Sequence, residues 1–259
     1  MPQGPQIRAP HPWFSRWFAD YAARSLRRNF FRVRLLGELP DPVPPEVPLV
    51  IYGNHASWWD PLIALAIRPI FFPAREAYAP IDAAMLERYG IFKSLGFFGV
   101  DRSSIRGVTD FLDHAEAILR RPNVILLITP QGRFADVRER PLGFQKGIAR
   151  LAQRVPNALF LPLATEISYW EESKPEILLH VGPPFHPDLT GSRDAILGQL
   201  EVALEGALDR LSQASIARDP SAFRDLFVGS AGVGGVYDLW RSLKGWLTGR
   251  PVNLLHGNR

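Results

Sequence analysis

Residues 48–61, PLVIYGNHASWWDP, decide how this chain reads. Leu49 to Tyr52 form a short, continuous apolar run, the pattern of a strand buried on both faces. The run empties through Gly53 into a polar turn carrying Asn54 and His55, and a carboxylate, Asp60, follows five residues after the histidine. Five positions along a regular helix would leave two side chains about 140° apart. His55 and Asp60 can therefore meet only if His55 lies in the turn and Asp60 in the first turn of a following helix. Ser57 as N-cap and Pro61 within the first helical turn fit that layout. A neutral imidazole takes a proton near neutral pH, and a carboxylate on its other nitrogen fixes the tautomer. His55 and Asp60 are thus a candidate base and orienter, with Asn54 and Ser57 as neighbouring candidate substrate contacts. Ser57-x-x-Asp60 also reads as a capping box, which accounts for Asp60 without any chemistry. Both readings stand on the local sequence.

Outward from this stretch, apolar runs alternate with helical stripes. Strands are expected at 67–73, 97–100, 123–129, 159–165 and 176–181, and helices at 58–67, 81–89, 104–121, 143–154 and 195–212. NVILLIT at 123–129 is the strongest buried-strand signal. Val108, Phe111, Leu112, Ala115, Ile118 and Leu119 recur at helical spacing. The alternation predicts an α/β fold, a central mixed sheet flanked by helices, with working groups on loops beyond strand ends.

Residues 12–34 read as a further helix in which Trp13, Trp17, Tyr21, Leu26 and Phe30 follow roughly helical spacing. Residues 1–36 hold seven arginines against one acidic side chain, although the whole chain carries only +4. A basic, aromatic helix suits an anionic lipid surface, or it packs on the core as an ordinary amphipathic helix. PDPVPPEVP at 40–48 is too proline-rich for a helix or a central strand. The expected division is an amphipathic basic helix over 1–39, a proline linker over 40–48, a working domain over 49–215 and a helical tail over 216–259. Trp240 and Trp246 lie in that tail beside Arg241 and Lys244, as a second surface-seeking helix or one docked on the core.

Composition excludes several chemistries. Without cysteine there is no disulfide, thiolate metal site or thiol nucleophile. The six histidines are scattered without ligand spacing, so no metal is expected. No apolar run reaches the roughly 20 residues that span a bilayer, and no secretory signal is visible. The expectation is a cytoplasmic protein, peripheral on the cytoplasmic face of a membrane. Nucleic-acid binding through the arginine-rich start is an alternative that the near-neutral remainder does not favour, and none is expected.

Several segments, in order, resemble the glycerolipid acyltransferases. Asn54-His55-x4-Asp60 resembles the first motif of that family. Gly96-Phe97-Phe98-Gly99-Val100-Asp101-Arg102 resembles the second, and Thr129-Pro130-Gln131-Gly132-Arg133 the third. Phe144-x-Lys146-Gly147 and the apolar Phe160-Leu161-Pro162-Leu163 follow at the family's usual places. The resemblance spans roughly residues 45–185. It implies a glycerol-3-phosphate acyltransferase-like fold in which His55, oriented by Asp60, activates the hydroxyl of a lysophosphatidic acid-like acceptor. The acyl group would come from acyl-CoA or acyl carrier protein, with no cofactor. The nucleophile belongs to the substrate, in keeping with the lack of a Gly-x-Ser-x-Gly elbow. Arg102 would hold a phosphate or, alternatively, join Asp101 and Arg106 in a surface charge group. Gln131, Gly132, Arg133 and Lys146 complete the candidate substrate contacts.

The third motif departs from the family pattern. Gln131 stands where glutamate is usual, Arg133 follows Gly132 directly, and Phe134 takes the place usually held by arginine. The departure leaves base and orienter intact but opens two alternatives: an uncharged acceptor, such as a glycolipid or glycosylated isoprenoid, or a non-catalytic lipid-binding or scaffold protein.

Overall fold

The computed structural model describes residues 7–101 and 104–231. Its centre is an eight-stranded mixed sheet in the order β4-β3-β5-β2-β6-β7-β1-β8. The strands are β1 Arg32–Leu36, β2 Leu49–Gly53, β3 Glu76–Asp82, β4 Phe97–Val100, β5 Val124–Ile128, β6 Leu159–Ser168, β7 Glu176–Val181 and β8 Phe223–Val228. From β4 to β6 every pairing is parallel. β7 runs antiparallel to β6, β1 parallel to β7, and β8 antiparallel to β1. The C-terminal ends of the parallel strands therefore share one edge, where loops in such sheets carry function.

Helices cover both faces. α4 (Ile105–Leu119), α5 (Gly147–Arg154) and α6 (Arg193–Ala217) close one side over a core that includes Tyr52, Leu126, Ile148, Phe160 and Leu204. α1 (Pro12–Asn29) and α2 (Asp60–Phe71) close the other over Leu26, Ile51, Ile63, Ile125 and Leu161. β2 and β5 contribute residues of alternating position to the two cores, as strands buried on both faces must. The short helix α3 (Ala83–Arg88) starts where the Asp82 carboxylate accepts the N–H groups of Ala84 and Met85, a side-chain N-cap.

Three expectations change. Residues 67–73 are not a strand, because α2 continues through Pro69 to Phe71 and the strand follows at 76–82. A short apolar run has no periodicity to separate the two states, and here Ile67, Phe71 and Phe72 bury against the sheet. Residues 32–36, read as the end of the basic helix, form a sheet strand, since α1 stops at Asn29. Residues 223–228, read as helical tail, form the edge strand β8. Trp240 and Trp246 lie outside the described residues.

α1 also divides its apolar residues. Ala19, Ala22, Ala23 and Leu26 face inward, while Trp13, Trp17 and Tyr21 form an exposed aromatic ladder. Tyr21 to Leu26 is five residues, about 140° around the helix, so the sequence stripe was two stripes. The proline-rich segment is likewise bound in place. The buried Arg75 guanidinium donates to the carbonyls of Val43, Pro44, Val47 and Val124, tying 43–47 to β5.

Candidate active site

β2 ends at Gly53, and the chain continues its ladder with β6 through a side chain. The Asn54 amide donates to the Thr165 carbonyl and accepts the Thr165 N–H, both at 2.9 Å. This buried pairing occupies one donor and the acceptor oxygen of Asn54, and it aims the next residue outward from the sheet edge. Asn54 therefore acts on the site by holding the turn.

His55 stands in that turn. Its Nδ1 lies 2.7 Å from Asp60 Oδ2, with both side chains partly buried. The same carboxylate oxygen accepts the Ser57 N–H at 3.1 Å. Asp60 thus orients the imidazole and also receives the backbone of the turn; of the expected capping box only this Ser57 N–H to Asp60 half forms. The helix begins differently from the expectation. Trp59 is the residue before α2 and Asp60 its first member, with Pro61 next. Ser57 does not cap it; its hydroxyl accepts the Trp59 N–H at 3.0 Å and tightens the turn. Among the described residues no protein group hydrogen-bonds His55 Nε2.

The loop after β5 locks onto both backbone groups of His55. Gln131 Oε1 accepts the His55 N–H at 2.8 Å, and the Ala135 N–H donates to the His55 carbonyl at 2.9 Å. Gln131 is 2% exposed and its Nε2 donates to the Leu142 carbonyl at 3.3 Å. It braces the His55 turn from within the protein. Gly132 turns the loop at φ 67°, a left-handed conformation suited to glycine, with its N–H on the Thr129 carbonyl. Beyond the turn Arg133 swings out to pair with Glu139. The next residue, Phe134, lays its ring against His55 with centroids 4.3 Å apart and a 33° tilt.

The remaining candidates spread out. Lys146 is exposed and pairs with Asp194 at 2.9 Å. Arg102 lies outside the described residues; the preceding Asp101 accepts the Ser104 hydroxyl at 2.8 Å, and Ser104 caps α4. Sequence reading did not identify Phe134 or Thr165 as partners of the site. Phe134 was visible only as a departure from a motif, and Thr165 carried no signal, since it contributes its backbone. Between α2 and the sheet lies an apolar recess of about 20 Å³, lined by Ile51, Ile67, Phe71, Leu127, Leu161 and Leu163 among others. Among the described residues no helix is long and apolar enough to cross a membrane.

A buried amide brace, a histidine–aspartate pair and a free imidazole nitrogen at a strand exit can together take a proton from a substrate hydroxyl. The fold is that of the crystal structure of the 1-acyl-sn-glycerophosphate (LPA) acyltransferase PlsC from Thermotoga maritima, with a TM-score of 0.54 at 14% identity, over 77% of this chain and 81% of that one. No curated protein matches the sequence. The Acyltransferase family model matches residues 34–166, which include the turn, the Asp60 carboxylate, the brace and the ladder partner Thr165. The chain belongs to the acyltransferase family.

Proposed function

We propose that the protein is an O-acyltransferase that moves a fatty acyl group from acyl-CoA or acyl carrier protein to a lipid hydroxyl, with His55 as general base and Asp60 as its orienter. The 2.7 Å contact between His55 Nδ1 and Asp60 carries this reading, because it leaves Nε2 to meet the substrate. Nε2 takes the acceptor's proton as the hydroxyl oxygen attacks the thioester carbonyl carbon. The tetrahedral intermediate then collapses, expelling the thiolate, which recovers the proton from the imidazolium. The products are an ester and a free thiol. Asp60 favours the transient imidazolium by its charge and holds the tautomer that presents Nε2.

Two acceptor classes compete. A lysophosphatidic acid-like acceptor needs a cation near the hydroxyl, for which Arg102, Arg133 and Lys146 were the sequence candidates. An uncharged lipid alcohol needs none. We further propose that the protein works peripherally on the cytoplasmic face of a membrane. The outward ladder of Trp13 (70% exposed), Trp17 and Tyr21 beside Arg16 and Arg24 supports this, since such aromatics with basic neighbours favour the headgroup region.

The test is transfer of labelled acyl groups from acyl-CoA or acyl carrier protein to a panel of lysolipids and neutral lipids, with His55→Ala beside the unmutated protein. Loss of transfer by about 10²-fold or more with liposome binding intact supports the reading. Absence of transfer by the unmutated protein across the panel favours the non-catalytic lipid-binding alternative.

A further inference from the structure

Phe134 is 56% exposed, yet one part of its surroundings is built with care. Its ring packs on the imidazole of His55. The residues on either side hold it there, because Gln131 takes the His55 N–H and Ala135 donates to the His55 carbonyl. Both backbone groups of the base are bonded to the loop that presents the phenyl ring. The left-handed turn at Gly132 sends Arg133 the other way, where its guanidinium meets the Glu139 carboxylate and the Phe134 carbonyl.

The charge around the loop follows the same pattern. Arg138 pairs with Asp136, Arg140 with Asp209 and Lys146 with Asp194. Each of these cations has a carboxylate partner, and a phenyl face occupies the place next to the base. An acceptor with a phosphate on the same glycerol as its reacting hydroxyl would bring that dianion to within a few ångströms of the ring. Apolar surface offers it no hydrogen bond and takes away water. An uncharged glycerol or sugar group loses little there, since its C–H faces pack on a phenyl ring while its hydroxyls stay hydrated. The same ring favours the imidazolium that forms during proton transfer, as a cation beside an aromatic face.

We propose that Phe134 sets the acceptor class, so that the hydroxyl acylated at His55 belongs to an uncharged lipid alcohol, a neutral glycerolipid or glycosylated lipid. This rests on His55 being the base of an acyl transfer. The experiment compares kcat/KM for lysophosphatidate with that for monoacylglycerol of the same acyl chain, which differs only in the phosphate, and for a monoglycosyl diacylglycerol. The unmutated protein, Phe134→Leu, Phe134→Arg and His55→Ala are measured in the same mixed micelles, with Tm recorded for each. The expected result is a neutral-to-phosphorylated ratio above one in the unmutated protein and in Phe134→Leu. In Phe134→Arg the ratio should fall tenfold or more, with Tm unchanged. A ratio below one in the unmutated protein, or one that Phe134→Arg does not move, overturns the proposal while leaving the acyl transfer intact. Transfer that survives in His55→Ala overturns His55 as the base, and transfer absent with every acceptor overturns the acyl-transfer reading; either result takes this proposal with it.

Discussion

Two of the regions that bury polar side chains, the His55 turn and the β1–β7–β8 edge, do it with different chemistry. Around His55 the buried groups are neutral amides bonded to backbone: Asn54 to Thr165, and Gln131 to His55 and Leu142. At the β1–β7–β8 edge they are ions. Arg34 and Glu176 are both nearly sealed and sit 2.6 Å apart, with Asp225 and Arg32 completing the group. Burial pushes the Glu176 carboxyl up and the Arg34 guanidinium down, against their mutual attraction. An amide on a backbone rung fixes direction without taking a charge out of water. A buried ion pair ties strands together, but desolvation offsets much of its attraction. The first device suits a turn that must aim an imidazole; the second suits an edge that only has to close.

If that contrast is right, substitutions should separate activity from stability. The largest effect is expected at the site: Asp60→Asn should lower kcat by about 10²–10⁴-fold, while the melting curve shifts little. A normal turnover rate would break the comparison at its catalytic end. At the edge, Glu176→Ala leaves the buried Arg34 only the more exposed Asp225, 3.5 Å away, and should cost up to about 3–5 kcal/mol of stability by urea unfolding. Activity per folded molecule should stay the same. The paired change Arg34→Met with Glu176→Leu should recover most of that loss, because no lone charge remains.

Gln131 sharpens the contrast, since it sits at the site yet supports structure. Gln131→Ala should cost about 1–3 kcal/mol through the unsatisfied His55 N–H and Leu142 carbonyl, and should lower kcat as the turn loosens. Gln131→Glu keeps an acceptor for His55 but has no donor for Leu142 when ionised. Burial would raise its carboxyl pKa in the folded state. The penalty should therefore be absent below the unfolded carboxylate pKa and grow as pH rises through the raised one, visible as a pH-dependent gap in Tm.

The smallest expected effect is at His180 on β7. Burial, the main cause, holds its imidazole below the ordinary 6.5, although its bond to the Leu36 carbonyl acts the other way. Folded His180 binds its proton less readily than the unfolded chain does. Its share of stability is thus complete above 6.5 and is lost as pH falls through the lowered value. His180→Asn, which can still donate to Leu36, should flatten the acid side of the Tm–pH curve.

Strands β2, β5, β6 and β7 were legible as apolar runs between turn signals, and α4 and α6 as helical stripes. β1 and β8 were not. RVRLL and FRDLFV carry charged side chains, and three of those, Arg32, Arg34 and Asp225, belong to the ion group of the edge, so only the finished sheet accounts for them. Residues 67–73 misled because their apolar run follows directly on α2 and extends it. In α1 the single stripe read from the sequence was an inner face of Ala22 and Leu26 with a separate outer ladder.

The sequence alone determined the histidine–aspartate pair. The two residues are five apart, so the turn after β2 and the start of α2 place them within reach, and Asn54, Gln131 and Ala135 then hold that turn. What lies against that pair was decided by tertiary structure. Gln131 is 76 positions from His55, and Thr165 is 111 from Asn54. They meet because β5 and β6 flank β2 in the sheet, an order set by which strands bury together. Whether the loop then offers His55 an arginine or a phenyl ring depends on the turn at Gly132, and a turn's direction in space is not written in residue spacing.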